Sequence, residues 1–286
     1  MTLKFRSKTA QGWTTDAPFQ AFTFPGGEPH IKVTDQDTGN YRYQLADMRG
    51  ADSHDLITLA MWADLVRGRG ETSVLILPYL PGARADRGAP FGAEVYAYLI
   101  NSMMIDQIIT LDPHSLVMPD YMHGLTVFPF QRIIKRELGN RGDYYDHPYV
   151  GVIAPDKGAV RRATVAANVL GVPVFKAEKT RDFDSGKLTG FTCEELPKTG
   201  KLLLVDDICD GGGTFNGLAD MLRETQDVWQ VRLDLWVTHG IFSKGVNSLT
   251  YNFAHIYTTD SFPNDIQHPQ VTMFPVLPYL TGEINV

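Results

Sequence analysis

The sequence has little cysteine and no long apolar run. Cys193 and Cys209 are the only cysteines among 286 residues. Two thiols cannot build the disulfide framework of a small secreted domain, and their neighbours lack the C-x-x-C spacing of a metal site. No apolar run approaches membrane-spanning length, and the N-terminus lacks the apolar core of a secretory signal. We therefore expect a cytoplasmic protein without a membrane partner.

The chain also lacks an excess of basic charge. It has 33 acidic against 26 lysine and arginine side chains, which gives a formal net charge of -7. Proteins that bind nucleic acid through its phosphates usually show the opposite balance. We expect no nucleic-acid partner, although local loops can still bind smaller phosphates.

Short apolar runs alternate with helical patterns along most of the chain. The apolar runs cover 73–80, 107–112, 149–156, 201–207 and 231–240. The helical patterns cover 91–104, 159–171 and 213–225. This alternation predicts an α/β fold with parallel sheets, in which ligands bind beyond the carboxyl ends of the strands.

A stretch rich in glycine, charge and proline interrupts the periodicity at 140–148. Such punctuation is typical of a domain boundary. We predict two doubly wound domains, 1–145 and 146–286, because each half has the size of one such unit.

The stretch LLLVDDICDGGGTFNGLADML (202–222) runs from a predicted strand through acidic residues and glycines into a helix. Consecutive glycine N–H groups beside a helix N-terminus can bind an anion, and Thr214 can cap the helix or contact a phosphate oxygen. Asp206 and Asp207 suit sugar hydroxyls or a metal ion rather than a bare phosphate. Together these features indicate a phosphorylated sugar.

Other phosphate-binding motifs are missing from this stretch. It contains neither G-x-G-x-x-G nor G-x-x-x-x-G-K-[ST], so neither a dinucleotide fold nor a P-loop is indicated. The alternative is an ordinary strand, turn and helix, with acidic residues that only aid solubility. That alternative is disfavoured because paired aspartates at a strand end are costly to desolvate.

The same stretch resembles the ribose-5-phosphate signature of type I phosphoribosyltransferases. The resemblance implies that the acidic residues hold the ribose and that the glycine-rich turn holds its phosphate. Many members have threonine where this chain has Gly211. The residues concerned are Asp206, Asp207, Asp210, Gly211, Gly212, Gly213 and Thr214.

Four further stretches, in the same order along the chain, are similar to ribose-phosphate pyrophosphokinases; with the signature they span about 22–263. In 77–115 the resemblance implies that Arg84 and Ala85 lie in a loop that binds ATP and that His114 binds Mg²⁺ and ATP. The family usually has glutamine at the position of Ala85.

The stretch 22–33 resembles a Phe-x-Asp-Gly-Glu loop that reaches the ATP site of a neighbouring subunit. Phe24 and Glu28 match this pattern, and Gly26 stands where aspartate is usual. Without the resemblance, the stretch predicts a strand, a turn at 25–27 and a second strand.

The stretches 153–163 and 174–182 resemble the pyrophosphate loop and the catalytic flexible loop of the same family. The first implies roles for Asp156, Lys157 and Gly158, with Asp156 as a metal ligand. In the second, Lys179 and Arg181 have the expected spacing, and Lys176 is the nearby alternative. A solvated charge cluster is the simpler interpretation of the second stretch.

The resemblance implies an enzyme of nucleotide biosynthesis that transfers the β,γ-diphosphoryl group of ATP to the C1 hydroxyl of ribose 5-phosphate. It also implies Mg²⁺ as cofactor, and a homo-oligomer with the ATP site near a subunit interface. The chain would be a compact variant, short at both ends. Two alternatives remain: a phosphoribosyltransferase that consumes phosphoribosyl pyrophosphate, and a non-catalytic regulatory homologue.

Overall fold

A computed structural model of the chain describes residues 2–9, 12–14, 17–34, 41–50, 52–139, 149–181, 188–226 and 230–285. They form two compact units. Unit 1 comprises Met1–Phe128, Ser261–Pro263 and Val276–Val286, and unit 2 comprises Pro129–Asp260 and Asn264–Pro275.

The units separate between Phe128 and Pro129. The predicted boundary, between 145 and 146, falls within 140–148 and therefore lies outside the described residues. The helix at Gln131–Glu137 packs against the helix at Val160–Leu170, so it belongs to unit 2.

Strands and helices alternate along most of the chain. The strands are β1 (Leu3–Thr9), β2 (Gly12–Thr14), β3 (Phe19–Thr23), β4 (Pro29–Val33), β5 (Tyr43–Met48), β6 (Thr72–Ile76), β7 (Gln107–Leu111), β8 (Leu125–Phe128), β9 (Tyr149–Ala154), β10 (Val174–Arg181), β11 (Leu188–Cys193), β12 (Thr199–Cys209), β13 (Gln230–Gly240), β14 (His255–Thr259) and β15 (Val271–Phe274). The helices are α1 (Ser53–Gly68), α2 (Gly92–Ser102), α3 (Val117–Tyr121), α4 (Gln131–Glu137), α5 (Val160–Leu170), α6 (Gly213–Thr225), α7 (Asn247–Asn252) and α8 (Leu277–Leu280), followed by a 3₁₀ turn at Thr281–Glu283.

Unit 1 contains a six-stranded sheet in the order β2-β1-β5-β6-β7-β8. Strands β5 to β8 are parallel, and β1 and β2 add antiparallel pairs at one edge. The apolar residues of β6 and β7 are buried, because helices cover a parallel sheet. The separate β3–β4 hairpin packs against α1.

Unit 2 contains a seven-stranded sheet in the order β11-β10-β9-β12-β13-β14-β15. All its neighbouring strands are parallel except the β10–β11 pair at the edge. Strand β12 lies between β9 and β13, and its leucines, residues 202–204, are fully buried. The sheet therefore brings the carboxyl ends of β9, β12 and β13 side by side.

The predicted α/β class with parallel sheets is confirmed. The five predicted strands correspond to β6, β7, β9, β12 and β13. The three predicted helices correspond to α2, α5 and α6, each within two residues at either end. In the part of the chain that is described, no helix has both the length and the apolarity to cross a membrane.

A buried ion pair joins the neighbouring strands β12 and β13 of unit 2, away from their carboxyl ends. The Lys201 ammonium lies 3.2 Å from a carboxylate oxygen of Asp234, and both side chains are almost fully buried. The Tyr149 hydroxyl donates to the same oxygen at 2.9 Å, and its ring lies 4.7 Å from the ammonium. The half-exposed Arg232 guanidinium lies 3.4 Å from the other carboxylate oxygen of Asp234. The buried Lys201 charge is therefore compensated by Asp234, which Arg232 also contacts.

We predict that Asp234→Ala destabilises unit 2 by about 3–5 kcal/mol, because Lys201 would stay buried without an anion. The free energy of unfolding, measured by denaturant titration, tests this value. Asp220→Ala on the exposed face of α6 is the matched control, with an expected change within about 0.5 kcal/mol. The double variant Lys201→Met/Asp234→Leu should recover most of the loss, and a loss below about 1 kcal/mol for Asp234→Ala would contradict the account.

Candidate functional site

The polar loops of unit 2 meet at one edge of its sheet. Strands β10, β9, β12 and β13 are neighbours and run parallel, so the loops that follow β9, β12 and β13 share the carboxyl edge. These loops contain 156–158, 210–214 and 241–245. The structure thus brings together the predicted pyrophosphate loop and the predicted ribose-5-phosphate residues.

The carboxylates of Asp206 and Asp207 lie side by side near the end of β12. Arg162, near the start of α5, places one guanidinium nitrogen 3.6 Å from Asp206 Oδ1 and 3.5 Å from Asp207 Oδ1. The backbone N–H of Asp207 donates to Asp206 Oδ1 at 2.9 Å. One largely buried arginine therefore lies beside two neighbouring carboxylates.

This arrangement raises the pKa of Asp206 well above its ordinary value. Burial is the main cause, and the neighbouring Asp207 carboxylate adds to it. Arg162 and the N–H of Asp207 act in the opposite direction without cancelling the effect. Groups that donate to a carboxylate, such as sugar hydroxyls, or a cation would stabilise the ionised pair.

The glycine-rich turn leaves the N-terminus of α6 open to an anion. Gly212 is the N-cap residue with φ +76°, and it has no side chain to accept from the first-turn N–H groups. A Cβ at this position would also lie 3.1 Å from a methyl group of Leu249. Both the backbone angle and the close packing require glycine here, and the free N–H groups of a 13-residue helix favour a phosphate.

Hydrogen bonds connect the loop after β12 to the loop after β13 beside this turn. The Ser243 hydroxyl donates to Asp210 Oδ1 at 2.5 Å, and its N–H donates to the Asp210 carbonyl at 3.2 Å. The N–H groups of Ile241 and Phe242 donate to the Cys209 carbonyl at 2.9 and 3.0 Å. The loop after β13 therefore fixes the position of the loop after β12.

Asp156 lies in the loop between β9 and α5 and contacts Lys179. The Lys179 ammonium donates to Asp156 Oδ2, and the Ala159 N–H donates to Oδ1 at 3.1 Å. Burial alone would raise the pKa of Asp156, but Lys179 and the N–H groups of Ala159 and Gly158 outweigh it and lower the pKa. The two residues that we assigned to separate loops are thus joined by an ion pair.

Lys179 lies on a strand, whereas the sequence resemblance implied a flexible loop. Residues 177–181 of β10 pair with β11, and this pairing orders the backbone. The alternation of a strand directs Lys179 towards Asp156, while Lys176 is exposed. Arg181 ends β10, and its side chain lies outside the described part of the chain, as does 182–187.

Lys157, the next residue of the loop, also pairs with a residue of β10, Glu178. Its ammonium lies 3.6 Å from a carboxylate oxygen of Glu178, and both side chains are largely exposed. Successive residues of the loop, Asp156 and Lys157, therefore pair with Lys179 and Glu178 of β10. An exposed pair contributes little stability by itself.

Unit 1 has its own polar loops at the carboxyl edge of its sheet. Arg84 and Ala85 lie in the loop after β6, and His114 lies in the loop after β7; all three are exposed. Because β6 and β7 are parallel neighbours, these loops share an edge. This placement suits an exposed ligand, as the predicted nucleotide roles require.

The predicted strand–turn–strand at 22–33 forms the β3–β4 hairpin. Phe24 at its tip is 47% exposed and lies edge-on to Phe22, with ring centroids 4.9 Å apart. The Glu28 carboxylate folds over Gly26, so that a Cβ there would meet Glu28 Oε2 at 2.5 Å. An aspartate at position 26 would therefore require Glu28 to move.

No group of three or more His, Cys, Asp or Glu side chains suited to a metal ion occurs among the described residues. Mg²⁺ is usually held by one or two carboxylates together with substrate phosphates. Asp156 fits this use, because its carboxylate already binds a cation, the Lys179 ammonium. His114 and Asp156 belong to different units, so each is a separate candidate ligand.

Comparisons with known proteins give one consistent result. Residues 129–233, all within unit 2, match the phosphoribosyl transferase domain family. The chain is 26% identical to a ribose-phosphate pyrophosphokinase of Maricaulis maris, over 94% of this chain and 89% of that protein. It is 25% identical to the Pyrococcus abyssi protein of the same name, over 85% and 84%.

A solved structure agrees in fold. The phosphoribosylpyrophosphate synthetase of Mycobacterium smegmatis superposes with a TM-score of 0.78 at 24% identity, over 93% of this chain and 88% of that one. These findings confirm the resemblance to ribose-phosphate pyrophosphokinases and the phosphoribosyltransferase-like fold.

Three residues beside these loops had no individual role assigned from the sequence: Arg162, Ser243 and Lys244. Arg162 stands within the stretch 153–163, but its helical position did not reveal which carboxylates it faces. Ser243 and Lys244 lie in the stretch 237–245, about 30 residues beyond the glycine turn, and the pairing of β12 with β13 brings the two loops together.

We predict that Asp206→Asn changes how stability depends on pH. Between the ordinary carboxyl pKa, about 3.9, and its raised native pKa, Asp206 holds more proton in the native than in the unfolded state. The free energy of unfolding should therefore fall in the unaltered protein as pH rises through that window. The variant should lack this fall, so it should be the more stable protein at pH 7 and equally stable near pH 3.

Denaturant titrations between pH 3 and pH 8 test this prediction. Asp220→Asn on α6 is the matched control, because that side chain is exposed. Parallel pH profiles for Asp206→Asn and the unaltered protein would contradict the assignment of a raised pKa.

Proposed function

We propose that this chain is a ribose-phosphate diphosphokinase. It transfers the β,γ-diphosphoryl group of ATP to the C1 hydroxyl of ribose 5-phosphate and releases phosphoribosyl pyrophosphate and AMP. The enzyme class agrees with the similarity to ribose-phosphate pyrophosphokinases. The assignments of substrates to individual residues are proposals that rest on the geometry of each unit.

One observation favours this function over a phosphoribosyltransferase. The similarity to pyrophosphokinases covers 94% of the chain and so includes both units. The sugar-phosphate loops lie in unit 2 alone. The exposed loops of unit 1 that contain Arg84 and His114 offer a place for a second substrate, which is proposed to be ATP.

The sugar phosphate is proposed to bind at the carboxyl edge of unit 2. The N–H groups of residues 211–214 would receive the 5-phosphate at the N-terminus of α6. Asp206 and Asp207 would accept hydrogen bonds from ribose hydroxyls, which stabilise the ionised carboxylates. Asp210, fixed by Ser243, would set the position of the turn relative to the ribose.

The transfer step is an in-line displacement at the β-phosphorus. The C1 oxygen of ribose 5-phosphate forms a bond to this phosphorus and gives up its proton, while the bond from the phosphorus to the oxygen of AMP breaks. Negative charge develops on the phosphoryl and leaving oxygens, so catalysis consists mainly of positioning and charge stabilisation. Lys179 is proposed to stabilise this charge with Arg181.

Mg²⁺ is proposed as the cofactor, with Asp156 of unit 2 and His114 of unit 1 as separate candidate ligands. When bound, the ion would neutralise charge on the polyphosphate oxygens. Asp156 currently pairs with Lys179, so binding of a cation there would release the lysine for the substrate.

Lys157 and Gly158 complete the pyrophosphate loop. The Gly158 N–H already lowers the pKa of the Asp156 carboxylate, and the Lys157 ammonium pairs with Glu178. Phe24, Gly26 and Glu28 are proposed to contact ATP bound by another subunit of a homo-oligomer. A cytoplasmic location stays a prediction.

A chromatographic assay with purified protein, Mg²⁺, ATP and ribose 5-phosphate tests this function. We expect AMP and phosphoribosyl pyrophosphate in equal amounts, and only when ribose 5-phosphate is present. Absence of AMP together with binding of phosphoribosyl pyrophosphate would instead favour a phosphoribosyltransferase or a regulatory homologue. Ala85 and Gly26 would then be the first departures to examine.

We predict that Lys179→Ala lowers turnover about 10²–10³-fold, because it removes one donor that stabilises the transferred group. Affinity for ribose 5-phosphate should change little, since the lysine lies on β10 and not in the 210–214 loop. Steady-state kinetics and calorimetric binding measure the two effects separately.

Lys176→Ala is the matched control for this variant. Lys176 is exposed on the same strand and faces away from Asp156, so its removal should leave turnover within about twofold. Equal losses in the two variants would contradict the assignment of Lys179 over Lys176.

A further inference from the structure

We propose that Lys244, in the loop after β13, is a further binding residue of the sugar-phosphate site. Its ammonium binds the 5-phosphate of ribose 5-phosphate. The inference rests on the proposed function and deepens it. It concerns a residue about 30 residues beyond the glycine turn, in the stretch 237–245, that had no individual role assigned from the sequence.

The stem of Lys244 lies over the glycine turn. A Cβ built on Gly211 would be 3.3 Å from Lys244 Cδ, 3.4 Å from Cε and 3.7 Å from Cγ. Three successive methylene carbons therefore cover the face of Gly211 where another residue would carry its side chain. A lysine stem can pack this way while its charged end stays in water.

The backbone that bears Lys244 is held at several points. Ser243 bonds to Asp210 through both its hydroxyl and its N–H. On the same turn, Phe242 has a buried ring and a left-handed backbone with φ 49°. Lys244 thus starts from a fixed position next to the turn, and its ammonium lies beyond the methylenes that cover Gly211.

The ammonium of Lys244 is available for a ligand. The side chain is exposed, and within the part of the chain that is described it forms no ion pair. Lys179 and Lys157, the other lysines of this edge, are already paired with carboxylates. Lys244 is therefore the lysine of these three that can meet an incoming phosphate without breaking an existing contact.

Gly211 and Lys244 form one structural feature in this interpretation. A side chain at position 211 would press against the lysine stem, because its Cβ would lie 3.3 Å from Lys244 Cδ. With glycine at 211, the side chain over this face of the turn comes from position 244.

The test measures binding of ribose 5-phosphate to the full chain by calorimetry, at about 50 and 200 mM salt. Lys244→Met keeps a stem of similar size and removes the charge, so the dissociation constant should rise about tenfold at low salt and depend less on salt. Lys244→Arg, which keeps the charge, should retain the affinity of the unaltered protein to within about threefold. Lys198→Met is the matched control, because Lys198 is exposed just before β12, at the opposite edge of the sheet.

A second variant tests the packing of the stem. Gly211→Ala places a methyl group 3.3 Å from Lys244 Cδ, a tight contact that requires the stem to shift slightly. Gly211→Ala alone should weaken binding of ribose 5-phosphate. Added to Lys244→Ala, the same substitution should have less effect, so the losses of affinity from the two single variants should not add.

The outcomes separate this inference from the proposed function. If the unaltered protein binds ribose 5-phosphate and Lys244→Met binds it equally well, the role of Lys244 is overturned while the proposed function stands. If the unaltered protein does not bind ribose 5-phosphate at all, both are overturned.

Discussion

Two carboxyl groups held side by side at the buried end of a central strand set the requirements for the rest of unit 2. Burial and mutual repulsion raise the pKa of Asp206, and Arg162 offsets only part of this cost. A chain keeps such a pair only where something else stabilises it. Here that partner would be a substrate rich in hydroxyl groups. The costly pairing of Asp206 with Asp207 would then serve to bind the sugar.

The free protein otherwise compensates the charges of this edge internally. Asp156 pairs with Lys179, Lys157 with Glu178, and Asp210 accepts from Ser243. Binding of the substrates would exchange these contacts for contacts with phosphate, ribose and a cation. Under the proposed function, Lys179 would become available to the substrate when a cation binds Asp156, its internal partner.

The sequence predicted the alternation of elements well and the contacts between them less well. Buried parallel strands such as β7 and β12 are continuous apolar runs in the sequence. Gly212 has a left-handed backbone, which its residue type alone makes plausible. Arg162 and Lys244 could not be assigned, because their partners lie on other elements and depend on how the strands are ordered. The assignment of α4 to unit 2 depends on its packing against α5, which local composition does not show. Pairing with β11 likewise turned an expected loop into a strand.

The most direct test of the central claim is ³¹P nuclear magnetic resonance of the reaction mixture, because it shows which phosphorus bonds survive. The account predicts that AMP appears together with a new diphosphate on ribose C1, whose two phosphorus atoms stay coupled to each other as the β and γ atoms of ATP were. Appearance of ADP with a new monophosphate ester would mean that the β–γ bond breaks. That result, or an unchanged mixture of ATP and ribose 5-phosphate, would contradict diphosphoryl transfer.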